Sequence, residues 1–473
     1  MARGERELKV LQHLAAAQPE NWWLDDDPLE PEAHPALVGE RRADLCVVGG
    51  GYTGLWAALR AKERHPRRKV VLVEQSWTGA GASGRNGGFC SASLTHGFGN
   101  GLRRFPGEIA ELERLGRENL AGIASTIERY GIECGWEQTG ELAVAVKPWQ
   151  LADLHREAEL RNAMGDHVLT LDREETQARV NSPTYLGATF DPDGTALVDP
   201  ARLVWGLERA CISLGVEIFE HTKATKLVEH PGGVAVITPY GQVVAGSVLL
   251  GTNAYPSLVR SARRYVVPVY DFQLATAPLS DEQLAAVGWG GREGISDSGY
   301  QFHYYRLTDD HAIMWGGWDA IYPYGSRMAA EFEDNPEVHA RLVAHFLDTF
   351  PQLEGIAFTH AWSGAIDTCS RFSAFWGTAM QGRVAYVLGY TGLGVGASRF
   401  GADTALDLLE GARTERTQLK MVRRKPVPFP PEPLRYAGIK ATTWSIARAQ
   451  AHPDGRRNLW LRSLDRLGMG FDS

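Results

Sequence analysis

The segment Cys46-Val-Val-Gly-Gly-Gly-Tyr-Thr-Gly-Leu55, followed by Val70-Val-Leu-Val-Glu74, constrains this chain most, because it reads as strand, glycine turn, helix and second strand. Gly49, Gly51 and Gly54 form G-x-G-x-x-G. The first glycine makes the tight turn, the second lets the backbone approach a pyrophosphate, and the third lets the helix that opens with Tyr52 and Thr53 pack on the strand. Free N–H groups at the helix start then face the phosphates. Glu74 closes the second strand twenty residues beyond Gly54. A carboxylate there accepts hydrogen bonds from the adenosine ribose hydroxyls and repels a 2'-phosphate. The glycines alone would fit an ordinary turn, but with both strands and the acid in place they predict a dinucleotide site and argue against NADP.

Composition narrows the class. The chain has 473 residues, 44% apolar and 22% charged, enough for two substantial domains. A net charge of -8 leaves no basic footprint for nucleic acid. Cys46, Cys90, Cys134, Cys211 and Cys369 are scattered and without a C-x-x-C pair, so neither a disulfide framework nor a metal site is expected. No apolar run is long enough to span a bilayer and the first residues lack a signal-peptide core, which makes the cytoplasm the expected location.

Along the chain, residues 1–42 read as a polar, proline-dotted arm that Trp22 and Trp23 dock on the body. Apolar residues from Leu203 to Leu214 recur at helical spacing and stop at Gly215, predicting a surface helix. Short strands follow at 216–219, 226–228 and 234–237, then the buried parallel strand 248–251. Tyr300 to Arg306 and Ala312 to Gly316 are aromatic strands of an antiparallel sheet, joined by Thr308-Asp-Asp-His311. Alternation sets Tyr300, Phe302, Tyr304 and Arg306 on one face. Near the end, strand 384–388, the turn Gly389 to Gly396 and a helix from Ala397 to Gly411 repeat the strand–glycine–helix arrangement. In the tail, Pro426 to Pro433 is an extended spacer, and Trp460, Leu464 and Leu467 share one side of a helix.

These residues, together with Gly79-Ala-Gly-Ala-Ser-Gly-Arg-Asn-Gly-Gly88, Asp199-Pro-Ala-Arg-Leu-Val204 and Trp362-Ser-Gly364, resemble the D-amino-acid oxidase superfamily of FAD enzymes. Within it the chain is most similar to the glycine/sarcosine oxidase and gamma-glutamylputrescine oxidase branch, over about residues 43–412. The resemblance implies an α/β plus α+β fold, with a Rossmann-type FAD-binding domain (43–100, 195–256 and 358–412) interleaved with an antiparallel-sheet substrate domain (101–194 and 257–357), an arm (1–42) and a tail (413–473). It implies FAD held by Gly49, Gly51, Tyr52, Thr53, Gly54, Glu74 and Gln75, by Ser83, Arg85, Asn86 and Gly87, and by Gly392, Gly394, Val395 and Gly396 at the terminal helix. There the helix N-terminus faces the negative charge that hydride transfer leaves near flavin N1 and C2=O. No Cys or His matches the family's covalent attachment points, and Cys90 reads as an inert buried thiol, so the FAD is expected to be non-covalent.

The expected reaction is oxidation of an amine or amino acid by hydride transfer to flavin N5, giving an imine that hydrolyses, with O2 or another electron acceptor. Arg306 is a candidate clamp for a substrate carboxylate, with a structural or solvated role equally open, and Tyr304 and Phe302 form either an aromatic wall or plain core. Arg85 reads either as a flavin contact or as one half of a structural ion pair. Two alternatives share the fold: a 2-hydroxy-acid or other alcohol dehydrogenase, and a non-catalytic flavoprotein binding module. The tail packs on its own domain or on a neighbouring subunit, which leaves room for a homo-oligomer.

Overall fold

In the computed structural model, which describes residues 10–24 and 27–470, two eight-stranded sheets lie side by side and the chain crosses between them several times. Met1–Glu7 and Asp25–Asp26 lie outside the described residues.

The first sheet is built on Gly39–Val48, whose inner half is the apolar run Leu45–Val48. It pairs in parallel with Val70–Val73 on one side and Gly241–Leu250 on the other, and parallel strands Glu217–Phe219 and Val384–Leu388 extend the sheet at either flank. All four residues of Val70–Val73 are buried, as a strand covered on both faces requires. The hairpin Lys226–His230 and Gly233–Ile237 adds antiparallel strands beside Gly241–Leu250, which is longer than the 248–251 run expected, because its first half pairs with that hairpin. Helices Tyr52–Arg64, Pro200–Ser213 and Gly394–Leu409 cover this sheet. The second of these is buried along most of its length rather than lying on the surface, since the arm passes over it. Trp22 and Trp23 do dock that arm, with Trp23 in the core and the two rings edge to face.

Helices Tyr52–Arg64 and Gly394–Leu409, far apart in sequence, are tied by buried charge. Arg60 Nε donates to Asp403 at 3.1 Å, and Arg64 reaches Asp403 and Asp407 at 2.8 Å each. Burial works against the Asp403 carboxylate, but the arginines hold it below the usual range. Removing one partner of such a pair costs about 3–5 kcal/mol.

The second sheet runs in the order 358–369, 266–276, 313–317, 303–307, 294–297, 141–145, 187–191, 169–171 and is antiparallel except where Gly294–Asp297 meets Glu141–Ala145. Phe358–Cys369 belongs to this sheet, so the change from one sheet to the other falls between Cys369 and Phe375 rather than at residue 358. The aromatic strand starts at His303. Tyr300 therefore leaves the predicted face and stacks on Trp149, its hydroxyl donating to the Gly455 carbonyl of the tail at 3.0 Å. The tail folds onto its own chain as helices Leu434–Ala451 and Leu459–Arg466. In the last helix Leu461 and Leu464 are the buried pair, while Trp460 and Leu467 are exposed, a shift of one position from the expected stripe. Among the described residues no helix is long and apolar enough to cross a membrane.

Candidate active site

Gly39–Val48 passes through Gly49–Gly51 directly into the helix Tyr52–Arg64. Gly49 has φ +109°, and a Cβ there would stand 2.5 Å from the Gly251 carbonyl oxygen. On Gly51 a Cβ would come within 2.7 Å of Ser83 Oγ, and on Gly54 it would overlap the Gly49 carbonyl. The Gly50 N–H donates to Glu74 Oε2 at 2.6 Å and the Ser76 N–H to Oε1 at 2.9 Å, so the carboxylate stands at the mouth of the loop, beside half-buried Gln75. Burial raises the Glu74 carboxyl against those hydrogen bonds. A loop that admits no side chain, at a helix N-terminus with an acid at the end of the next strand, fits the pyrophosphate and ribose of FAD.

The loop 79–88 closes on this helix. Tyr52 N–H donates to Ser83 Oγ at 3.0 Å, while Asn86 Nδ2 donates to the Ala82 and Ser83 carbonyls at 3.0 and 2.9 Å, and Gly88 N–H returns to Asn86 Oδ1. The Tyr52 and Thr53 side chains turn inward, donating to the Pro200 carbonyl and to Tyr390 Oη at 2.9 and 3.0 Å. They brace the helix, and what they present to a phosphate is main chain.

At the far end of the site, buried Asp367 accepts hydrogen bonds from the Gly389 and Tyr390 N–H groups, at 2.5 and 3.1 Å, which pins the glycine turn. Burial pushes its carboxyl up to about 7 despite those donors. Gly389, Thr391 and Gly392 all have positive φ, so the chain turns sharply into the helix Gly394–Leu409. A Cβ on Gly394 would meet nothing within 4 Å, whereas one on Gly396 would run into the Ser91 carbonyl. The N–H groups of Gly394, Val395 and Gly396 form the positive end of a sixteen-residue helix, suited to developing negative charge.

Facing loop 79–88 is the second sheet. A Cβ on Gly87 would stand 2.6 Å from the Tyr304 ring, and Phe302 lies beside that ring at 6.3 Å between centroids. Tyr304 Oη donates a short hydrogen bond to Asp271. Gln273 Nε2 donates to Tyr304 Oη at 3.1 Å and to the Arg85 carbonyl at 3.4 Å, and Trp362 Nε1 donates to the same carbonyl at 3.0 Å. Strand register brings this group together: Asp271 opposes Gly364, and Gln273 opposes both Trp362 and Gly316, itself opposite Tyr304. Burial pushes Asp271 up to about 6, and burial with the adjoining carboxylate raises the Tyr304 hydroxyl well above its ordinary value. Nothing in the sequence around Asp271 and Gln273 marks them; only the pairing of distant strands does.

Arg306 is placed differently from the expected clamp. It is 3% exposed, its Nη1 donates to the Val198 carbonyl at 2.6 Å and its Nε to the Leu307 carbonyl at 3.2 Å, and the guanidinium lies over the Trp23 ring. It packs behind Gly88 and locks the loop, a positioning role rather than a grip on a carboxylate. Burial lowers it to about 10, so it stays charged at neutral pH. Arg85 pairs with Glu333 at 2.9 Å and also donates to the Ser363 carbonyl at 3.2 Å, at the floor of a cavity of about 450 Å³.

Cys90 is wholly buried in the strand Phe89–Ser91 and burial raises its thiol far above the reactive range, while burial pushes His96 down to about 4. Acid precipitation of the purified protein is therefore expected to leave the flavin in the supernatant; yellow colour staying with the pellet would identify a covalent link.

The family model described as DAO, FAD dependent oxidoreductase, matches residues 44–408. The probable oxidoreductase OrdL of Haemophilus influenzae is 30% identical over 401 residues, covering 80% of this chain and 88% of its own length. Gamma-glutamylputrescine oxidoreductase of Escherichia coli is 32% identical over 379 residues, covering 78% and 84%. Among solved structures, glycine oxidase of Geobacillus kaustophilus shares the fold with a TM-score of 0.67 at 20% identity, over 81% of this chain and 99% of that one. The chain belongs to the DAO family of FAD-dependent oxidoreductases, whose cofactor is FAD.

Proposed function

We propose that this enzyme oxidises the carbon–nitrogen bond of an amine or amino acid, with the nitrogen received by Asp271 and Tyr304. The observation that carries this is the half-buried carboxylate–phenol pair on the sheet face that packs on loop 79–88. FAD, held by the Gly49–Gly51 turn, loop 79–88 and the start of the helix Gly394–Leu409, would supply the two-electron acceptor for the hydride that leaves the carbon beside nitrogen, and we assign O2 as the final oxidant, reduced to hydrogen peroxide. The imine left on the substrate hydrolyses in water. An amine must lose its extra proton before hydride can leave, and a carboxylate raised to about 6 by burial is a better proton acceptor than an ordinary one. Gln273 and Trp362, both donating to the Arg85 carbonyl, hold the sheet against the loop so that the distance between nitrogen site and flavin is fixed.

The 2-hydroxy-acid reading asks for an unpaired cation facing the substrate, whereas the side chains around Tyr304 are Asp271 and Gln273, Arg306 is turned away and the nearby Arg85 is paired with Glu333. The test is anaerobic: candidate amines, amino acids and 2-hydroxy acids are added to the FAD-loaded protein and flavin absorbance is followed. Bleaching by amines and not by 2-hydroxy acids is expected. Bleaching by 2-hydroxy acids alone refutes the assignment, and no bleaching by any donor supports a binding module.

A further inference from the structure

In loop 79–88 the consecutive carbonyls of Ala82, Ser83, Gly84 and Arg85 each accept an N–H from a side chain. Asn86 supplies the first two from within the loop, and Gln273 and Trp362 reach the last from the second sheet. The buried Gly84 is held from the arm. Asn21, 8% exposed, donates to its carbonyl from Nδ2 at 2.7 Å, while Asn21 Oδ1 accepts the Trp23 N–H at 3.4 Å. Asn21 lies outside the family match at 44–408, so the loop's set of donors is completed by a residue that precedes the matched segment.

The neighbours of Asn21 put it there. Gln18 joins the second sheet as an extra rung, its N–H donating to the Thr359 carbonyl and its carbonyl accepting from Ala361, each at 2.8 Å. Trp23 is buried in the core, with the Arg306 guanidinium 5.7 Å from the ring centroid. Arg306 binds the Val198 carbonyl, and the Val198 N–H donates to the Gly88 carbonyl at 2.9 Å. Residues 18–24 thus brace the loop at Gly84 directly and at Gly88 through Arg306. Further along the arm, Asp27 accepts from Arg202 Nε at 2.6 Å, an anchor that fastens the arm to the helix Pro200–Ser213 rather than to the loop.

We propose that Asn21 is a positioning residue for the cofactor, acting through the Gly84 carbonyl to hold loop 79–88 in the shape that FAD meets. A buried carbonyl stripped of its donor seeks another, and the turn then samples conformations that must be given up when the cofactor binds. With four carbonyls in a row already engaged, that ordering is complete before FAD arrives. The inference concerns the cofactor alone and stands whichever donor the enzyme oxidises.

The test uses the full-length, FAD-loaded enzyme and follows flavin release on dilution by the rise in flavin fluorescence. Asn21→Asp keeps an acceptor for the Trp23 N–H but sets a carboxylate oxygen against the Gly84 carbonyl, and Asn21→Ser is the milder change should the first not fold. Each is expected to speed flavin release by about tenfold. Hydrogen exchange is expected to rise in peptides covering 79–88. Asp27→Asn is the control, because it loosens the arm at Arg202 and leaves the Asn21 bond in place. It is expected to lower the melting temperature as the Asn21 variants do, yet keep flavin release within about twofold of the parent. Unchanged release from the Asn21 variants overturns the proposal. Equal acceleration in Asp27→Asn overturns it as well, since the arm would then act through its docking as a whole.

Discussion

Asp271→Asn is expected to lower kcat/KM for amines by about 10²-fold or more, while the FAD content and the fold stay unchanged. The carboxamide keeps an oxygen for the Tyr304 hydroxyl, so the change removes charge and basicity rather than packing. The pH profile separates this from a structural effect. Asp271 titrates near 6 and is useful as a proton acceptor only when ionised, so kcat/KM rises with pH through about 6 in the parent enzyme. The variant should lack that inflection and keep only the rise set by the amine's own ionisation. A profile with the same inflection in both proteins would remove Asp271 from the chemistry.

Gly51→Val is expected to yield a folded, colourless protein. The Cβ alone reaches 2.7 Å from Ser83 Oγ, and the two methyl groups fill the approach to the N–H groups that open the helix Tyr52–Arg64. Because Ser83 also accepts the Tyr52 N–H, the same substitution loosens loop 79–88. Loss of several hydrogen bonds to a charged ligand at about 1.5–3 kcal/mol each should abolish stoichiometric FAD. The measurement is the ratio of flavin to protein absorbance after purification, with circular dichroism to verify folding. Stoichiometric flavin in the variant would mean that the cofactor does not use this turn.

The two glycine turns and their flanking strands were legible in the sequence because local rules demand them: only a residue without a side chain permits these approaches, and continuous apolar runs of this length suit a strand buried on both faces. The antiparallel sheet was legible as aromatic strands, but not where Tyr300 leaves it, since that depends on Trp149 and the tail. Asp271 and Gln273 carry no motif. Their role comes from register with Gly364, Trp362 and Gly316, fixed by tertiary pairing. The choice between the two roles left open for Arg306 was illegible for a related reason. A guanidinium satisfied by two backbone carbonyls and an indole face has no sequence signature that separates it from one facing a ligand. In the last helix the buried side is Leu461 and Leu464, chosen by the helix Leu434–Ala451 against which it packs.

The charge clasp between Arg60 and Arg64 on one helix and Asp403 and Asp407 on the other has a consequence for biogenesis. The pyrophosphate turn is synthesised early, but the helix that completes its body leaves the ribosome more than three hundred residues later. Until then Arg60 has only Glu63 of its own helix as a counter-charge, Arg64 lacks Asp403 and Asp407, and the first sheet lacks its flanking strand Val384–Leu388. Closing so long a loop is slow, and the exposed apolar surface must be kept from aggregating meanwhile. The flavin cradle is therefore complete only once residues 394–409 have been made and docked on the helix Tyr52–Arg64.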